Sequence, residues 1–145
     1  MTMPGLHSIE RHPGSQTWPG IVIYRFDGPI TFFHAAYFKQ RALRAADDAA
    51  VNPRWFVLDM IPVSRVDVTG LYALRDLREE LEARGTRLVF AGRRTEIINW
   101  MRETGMRETG LYWEGIEEHM FPTLRQALKA YRRQAGTRDA PPVED

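Results

Sequence analysis

The sequence predicts an α/β fold: a mostly parallel sheet of four or five strands, an antiparallel hairpin at its N-terminal edge, and helices packed on it. Three observations carry that expectation. β-branched and aromatic runs alternate with stretches of helical periodicity, which implies parallel neighbours joined by right-handed crossovers. Trp55 to Leu58 is a continuous apolar run, as expected of a strand covered on both faces. That run leads through Asp59 into a short loop, a second aspartate at 67 and a helical pattern. A strand end and a helix start meet there, the place where open α/β sheets meet ligands and partners.

The elements follow in order. Residues 1–19 are rich in Gly, Pro, Ser, His and Thr and read as a linker or loosely attached arm. Ile21 to Phe26 (I-V-I-Y-R-F) is a strand by composition. Asp27-Gly28 reads as a hairpin turn into a second short strand, Ile30 to Phe33, with Pro29 at its start. His34 to Ala50 is Ala-rich, with Phe38, Ala42, Ala45 and Ala49 on one helical face. Asn52-Pro53 stops it. After the Trp55–Asp59 strand, Pro62 and Ser64-Arg65 keep the chain irregular. A helix then runs from Val68 to Arg84, with apolar residues at 68, 71, 72, 74, 77 and 81. Its pairs Arg75/Glu79, Arg78/Glu82 and Glu80/Arg84 mark a solvated face, and Gly85 is the expected stop.

Arg87 to Gly92 contains L-V-F-A, another short buried strand. A helix opens near Arg93-Arg94-Thr95-Glu96 and carries Ile97, Ile98 and Met101. R-E-T-G-M at 102–106 is repeated as R-E-T-G-L at 107–111, a local duplication too short for a solenoid. The loop after it has room for a short strand. Phe121-Pro122-Thr123 introduces a last helix with Leu124, Ala127, Leu128 and Tyr131 on one face. The tail, 135–145, is polar and contains prolines, so it is expected to be disordered. Residues 20–134 are then the folded domain.

Composition narrows the function classes. A length of 145 residues suits one domain, and 43% apolar residues suffice for a core. Twenty basic residues against 19 acidic ones leave a net charge of +1, so nothing points to a nucleic-acid polymer as partner. The absence of cysteine removes disulfides and thiolate metal sites. No apolar stretch approaches the ~20 residues that span a bilayer, and the N-terminus lacks the apolar core of a signal peptide. The chain by itself is expected to be soluble. Dinucleotide fingerprints, P-loops, nucleophile elbows and H-E-x-x-H are all missing. No cofactor, metal or catalytic residue is expected, and His7, His12, His34 and His119 fall in different elements.

The candidate site is the loop and helix start holding Asp59, Asp67, Val68, Thr69 and Gly70. Asp67 has the chemistry of an N-cap, accepting free N–H groups of the first helical turn. Asp59 suits a hydrogen bond to its own loop. The alternative for this acidic pair is Mg²⁺ binding or acid–base work. Thr69 and Gly70 lie in a helical first turn whose N–H groups could hold a small anion or a nucleotide phosphate, with Asp67 opposing. Trp55, Phe56, Phe90 and Trp100 read as core, and Arg93-Arg94 as solvated or facing anionic lipid. As an edge strand, Ile21 to Phe26 is a candidate homodimer surface.

Two stretches carry a resemblance. L-D-M-I-P-V-S-R-V-D-V-T-G-L-Y-A-L resembles the core signature of the STAS domain, shared by sulfate transporters and anti-sigma-factor antagonists. P-G-I-V-I-Y-R-F-D-G-P-I-T-F-F-H-A-A-Y-F, from Pro19 to Phe38, is similar to the start of the STAS domain attached to SulP-type anion permeases. Leu6 to Pro13 resembles the linker to the membrane domain of those permeases. The resemblance implies a STAS-like sandwich. It also implies a non-catalytic regulatory and interaction domain at the cytoplasmic face of a secondary transporter for sulfate, bicarbonate or dicarboxylate-like anions. The partner implied is the transmembrane domain of the same transporter. The alternative is a free-standing antagonist that docks on an anti-sigma kinase. In that branch a phosphorylated Ser follows the second Asp. Here the position is Val68, and the nearest hydroxyl is Thr69, the candidate phosphorylation site. Position 34, often Asn in SulP-type domains, is His.

Overall fold

The computed structural model describes residues 15–49, 52–103 and 115–135. Its centre is a five-stranded sheet in simple sequence order: β1 (Ser15–Trp18), β2 (Ile21–Arg25), β3 (Trp55–Asp59), β4 (Arg87–Ala91) and β5 (Met120–Phe121). Strands β2 to β5 run parallel, and β1 runs antiparallel on the outer side of β2. Among the described residues, four α-helices connect or follow them: α1 (Ala35–Asp47), α2 (Val68–Ala83), α3 (Arg94–Glu103) and α4 (Leu124–Ala135). A single 3₁₀ turn, Ile116–His119, leads into β5.

The pleat sorts the core into two layers. Val22, Phe56 and Leu88 lie in one cross-strand row, and Tyr24, Leu58 and Phe90 in another. These rows are buried under α1, α2 and α3, whose inward residues include Phe38 and Ala42, Leu74 and Leu77, Ile97 and Met101. The alternate residues, Ile23, Val57 and Val89, face the other way. There they meet Ala127, Leu128 and Tyr131 of α4, with Trp55 beside them. A strand covered on both faces has no polar positions to alternate with, which is why Trp55 to Leu58 reads as an unbroken apolar run. Burying each large side chain of this kind contributes ~1.5–3 kcal/mol.

Three expectations need correction. The hairpin between Ile21–Phe26 and Ile30–Phe33 does not form. Both hydrogen-bonding edges of β2 are occupied, one by β1 and one by β3. Ile30 instead makes an isolated parallel bridge to Val66. For the same reason Ile21–Arg25 is an interior strand, and the candidate dimer edge placed there is not an edge. The third correction concerns Ser15–Trp18, part of the stretch read as a linker, which is strand β1. The turn between β1 and β2 is Pro19-Gly20, with Gly20 at φ +82, a conformation a proline–glycine pair supplies. The first 14 residues, the tail from 136 onward and most of the R-E-T-G repeat lie outside the described residues.

On the solvated side of α2, Arg75 pairs with Glu79 at 4.0 Å. Glu80 reaches across to Lys39 of α1 at 3.1 Å, and Arg84 pairs with Asp47. Glu80 and Arg84, read from the sequence as a pair on one solvated face, thus each reach from α2 to α1. Trp55, Phe56 and Phe90 are buried as expected, while Trp100 is only partly covered.

Candidate functional site

Parallel strands send their C-terminal ends to one edge of the sheet. Three loops gather there: residues 26–34 after β2, 60–67 after β3, and 92–93 after β4. They are bonded to one another. The Ile30 N–H donates to the Arg65 carbonyl at 2.8 Å, and the Asp67 N–H donates to the Ile30 carbonyl at 3.3 Å. The Met60 N–H extends the ladder to the Ala91 carbonyl at 2.8 Å. Arg93 closes the set, its Nε donating to the carbonyls of Met60 at 3.1 Å and Ile61 at 2.8 Å. Its guanidinium also meets Glu96 at 3.2 Å. Sequence reasoning read Arg93 as solvated or lipid-facing. The structure makes it a clamp between two loops.

Asp67 is the N-cap of α2. One carboxylate oxygen accepts the Gly70 N–H at 2.8 Å, and the other accepts the Phe32 N–H at 3.0 Å from the neighbouring loop. Asp59 accepts the Ile61 N–H at 3.1 Å. Each aspartate of the candidate pair is therefore engaged by backbone N–H groups, Asp59 in its own loop and Asp67 from helix α2 and the neighbouring loop. Gly70 is buried, and a β carbon there would sit 1.9 Å from the Ile30 carbonyl oxygen. Val68 and Thr69, by contrast, face solvent on the first turn. Since Asp67 already takes up the Gly70 N–H, this helix start offers its own carboxylate where an anion would sit.

The edge carries a second feature that sequence reasoning missed. Phe32 and Phe33 are 64% and 78% exposed, their rings tilted by 33° with centroids 4.1 Å apart. Tyr37, Ile61, Val68 and Tyr72 are exposed beside the same loops. The signal was the F-F doublet itself. The reading of Ile30 to Phe33 as a short strand passed over it. In a loop both point outward.

His119 is half-buried beside Arg87 and the Leu88 carbonyl. Burial lowers its pKa below the ordinary 6.5, and the nearby Arg87 adds to that. The Leu88 carbonyl, Glu82 and Glu118 act in the opposite direction. Its Nδ1 lies 3.2 Å from Arg87 Nε and 3.1 Å from the Leu88 carbonyl oxygen. A neutral ring serves only one of them at a time, as acceptor or as donor. His119 lies at the β4–β5 side of the sheet, in a different element from the candidate loop.

The STAS domain family model matches residues 12–127, and the chain belongs to that family. Within it, the similarity runs to SulP-type sulfate transporters. A probable sulfate transporter of Mycobacterium tuberculosis strain H37Rv is 39% identical over 130 residues, covering 90% of this chain and 22% of the relative. The chain thus spans about a fifth of the length of that transporter. Among solved structures, a sulfate transporter family protein from Wolinella succinogenes aligns with a TM-score of 0.63 at 30% identity, covering 81% of this chain and 89% of the other. An anti-sigma factor antagonist from Mycobacterium paratuberculosis shares the fold with a TM-score of 0.55 at 22% identity, covering 91% of this chain and 99% of the other. Among the described residues no helix is long and apolar enough to cross a membrane.

Proposed function

We propose that this chain is the cytoplasmic regulatory and interaction domain of a bacterial SulP-type secondary transporter for sulfate, bicarbonate or a dicarboxylate. It works by docking and not by catalysis. The observation that carries this reading is the similarity over 130 residues to a transporter of which those residues are about a fifth. Transport belongs to the remainder of such a polypeptide, and the domain's partner is that remainder. The candidate loop supports a docking role, because Asp59 and Asp67 spend their oxygens on backbone N–H groups. Val68, with no hydroxyl, stands where an anti-sigma antagonist would be phosphorylated, which favours the transporter reading over the antagonist one.

Two measurements test it. The reading frame encoding this chain should also encode about ten or more apolar spans of ~20 residues. Its product should drive uptake of labelled sulfate, bicarbonate or a dicarboxylate into a transport-deficient bacterium. A reading frame without spans would sink the proposal. So would transfer of phosphate from ATP to Thr69 by a co-purifying anti-sigma kinase, seen by intact mass. Light scattering across concentration addresses homodimer formation.

A further inference from the structure

Among the described residues, the large apolar side chains left exposed are Phe32, Phe33, Tyr37, Ile61, Val68 and Tyr72. All six lie on or beside the three loops at the C-terminal edge of the sheet. Such one-sided clustering marks an interaction face, whereas scattered exposed apolar residues mark nothing. The face is also held rigid. The Phe32 N–H is fastened to Asp67, and the Ile61 carbonyl to Arg93. Ile61 itself lies over Gly92, where a β carbon would come within 2.7 Å of its side chain. Tyr37 and Tyr72 carry Arg41 and Arg75 over their rings at 5.5 and 4.9 Å. Rigid aromatics with stacked arginines are the side chains that lose least entropy on docking and dominate interface energies.

We propose that this edge is the face on which the domain docks against an apolar cytoplasmic segment of the membrane-embedded part of its own polypeptide. The inference rests on the transporter reading above and adds the surface to it. Two arguments choose the occupant. First, the face has little net charge to draw an anionic lipid surface: residues 26–34, 60–67 and 92–96 carry Arg65, Arg93 and Arg94 against Asp27, Asp67 and Glu96, and of the two arginines over the tyrosine rings Arg75 is paired with Asp76 at 2.8 Å, which leaves Arg41 as the one added charge. Second, six residues make a small patch beside the roughly 20–30 residues a side of a stable free-standing interface. A tethered partner needs far less, because a linker holds it at millimolar effective concentration. About four-fifths of the transporter relative lies outside the region this chain matches, which is where such a tethered partner would come from.

Thr69 lies on this face between Val68 and the buried Gly70. A negative charge there suits a helix N-terminus, so it spares the fold. The same charge in an apolar contact opposes docking. Thr69→Glu therefore separates docking from folding.

The test uses the complete transporter in native membranes, with p-benzoylphenylalanine in place of Phe33. Irradiation is expected to join position 33 to a peptide from the membrane-embedded region, mapped by mass spectrometry. Thr69→Glu should lower that yield several-fold, while leaving the melting curve of the isolated domain within a degree or two. The same probe in place of Glu82, at the far end of α2, should give no such adduct. Adducts from position 33 only to lipid, only to a second copy of this domain, or to nothing would overturn the proposal. If the reading frame encodes no membrane region, the transporter reading itself fails. If it does and position 33 misses that region, only the docking face fails.

Discussion

The α carbon of Gly70 lies so close to the carbonyl of Ile30 that a β carbon there would sit 1.9 Å from its oxygen. The same β carbon would be 2.9 Å from the Val66 side chain. That carbonyl accepts the Asp67 N–H, so the contact also governs the helix cap. Gly70→Ala is expected to cost about 1–3 kcal/mol by overpacking. At ~2–4 °C per kcal/mol for a domain of this size, the melting temperature should fall by several degrees. Differential scanning calorimetry checks it. An unchanged transition would mean that the two loops do not meet as described.

Asp67 joins the same two loops from the other side. Asp67→Ala removes the cap on Gly70, worth about 1 kcal/mol. It also removes the acceptor for Phe32, a hydrogen bond worth about as much again. Asp67→Asn keeps a capping oxygen and should lose clearly less. Urea melts of the three proteins should rank wild type, then Asn, then Ala. An Asn variant as unstable as Ala would show that both carboxylate oxygens are needed, since the amide has one acceptor for the two N–H groups of Gly70 and Phe32.

Arg93 has φ +53, the left-handed region that costs most residues ~1–2 kcal/mol. It is held there by what its guanidinium holds, the carbonyls of Met60 and Ile61. Arg93→Ala loses the clamp and keeps the strain, whereas Arg93→Gly loses both. The glycine variant should therefore be the more stable of the two by about 1 kcal/mol. Hydrogen exchange at residues 61–66 should rise in both.

His119 predicts an acid-side loss of stability. Its folded pKa is lowered by burial first and by Arg87 second, so the native state binds its proton less readily than the unfolded chain. Stability then rises with pH wherever the unfolded state holds more protons. The contribution is intact above the unfolded value near 6.5 and is lost as pH falls below it toward the folded value. The melting temperature of the wild type should drop more steeply from pH 7.5 to 5 than that of His119→Gln. Parallel slopes would refute the assignment.

Much of this domain was legible in one dimension. The unbroken run Trp55 to Leu58 announced a strand buried on both faces. Asp67 announced a cap, because an N-cap is a contact between near neighbours in sequence. The helical stripe after Val68 and the face of α4 were likewise local periodicities. The hairpin was misread for a reason of the opposite kind. Asp27-Gly28 has the local chemistry of a turn, but a strand has two edges, and the occupants of β2's edges come from elsewhere in the chain.

The sequence by itself therefore determined the alternation of strands and helices, the caps, the core-facing residues and the family, since each is written in neighbouring residues or short motifs. Only the tertiary structure decided that β1 and not Ile30–Phe33 pairs with β2. It also decided that Gly70 lets two loops touch, that Arg93 clamps a third, and that Phe32 and Phe33 share an edge with Ile61, Val68 and Tyr72. Those relationships join residues that are far apart in the chain. Whether a phenylalanine is core or surface depends on what the rest of the fold brings to it, and no local pattern carries that information.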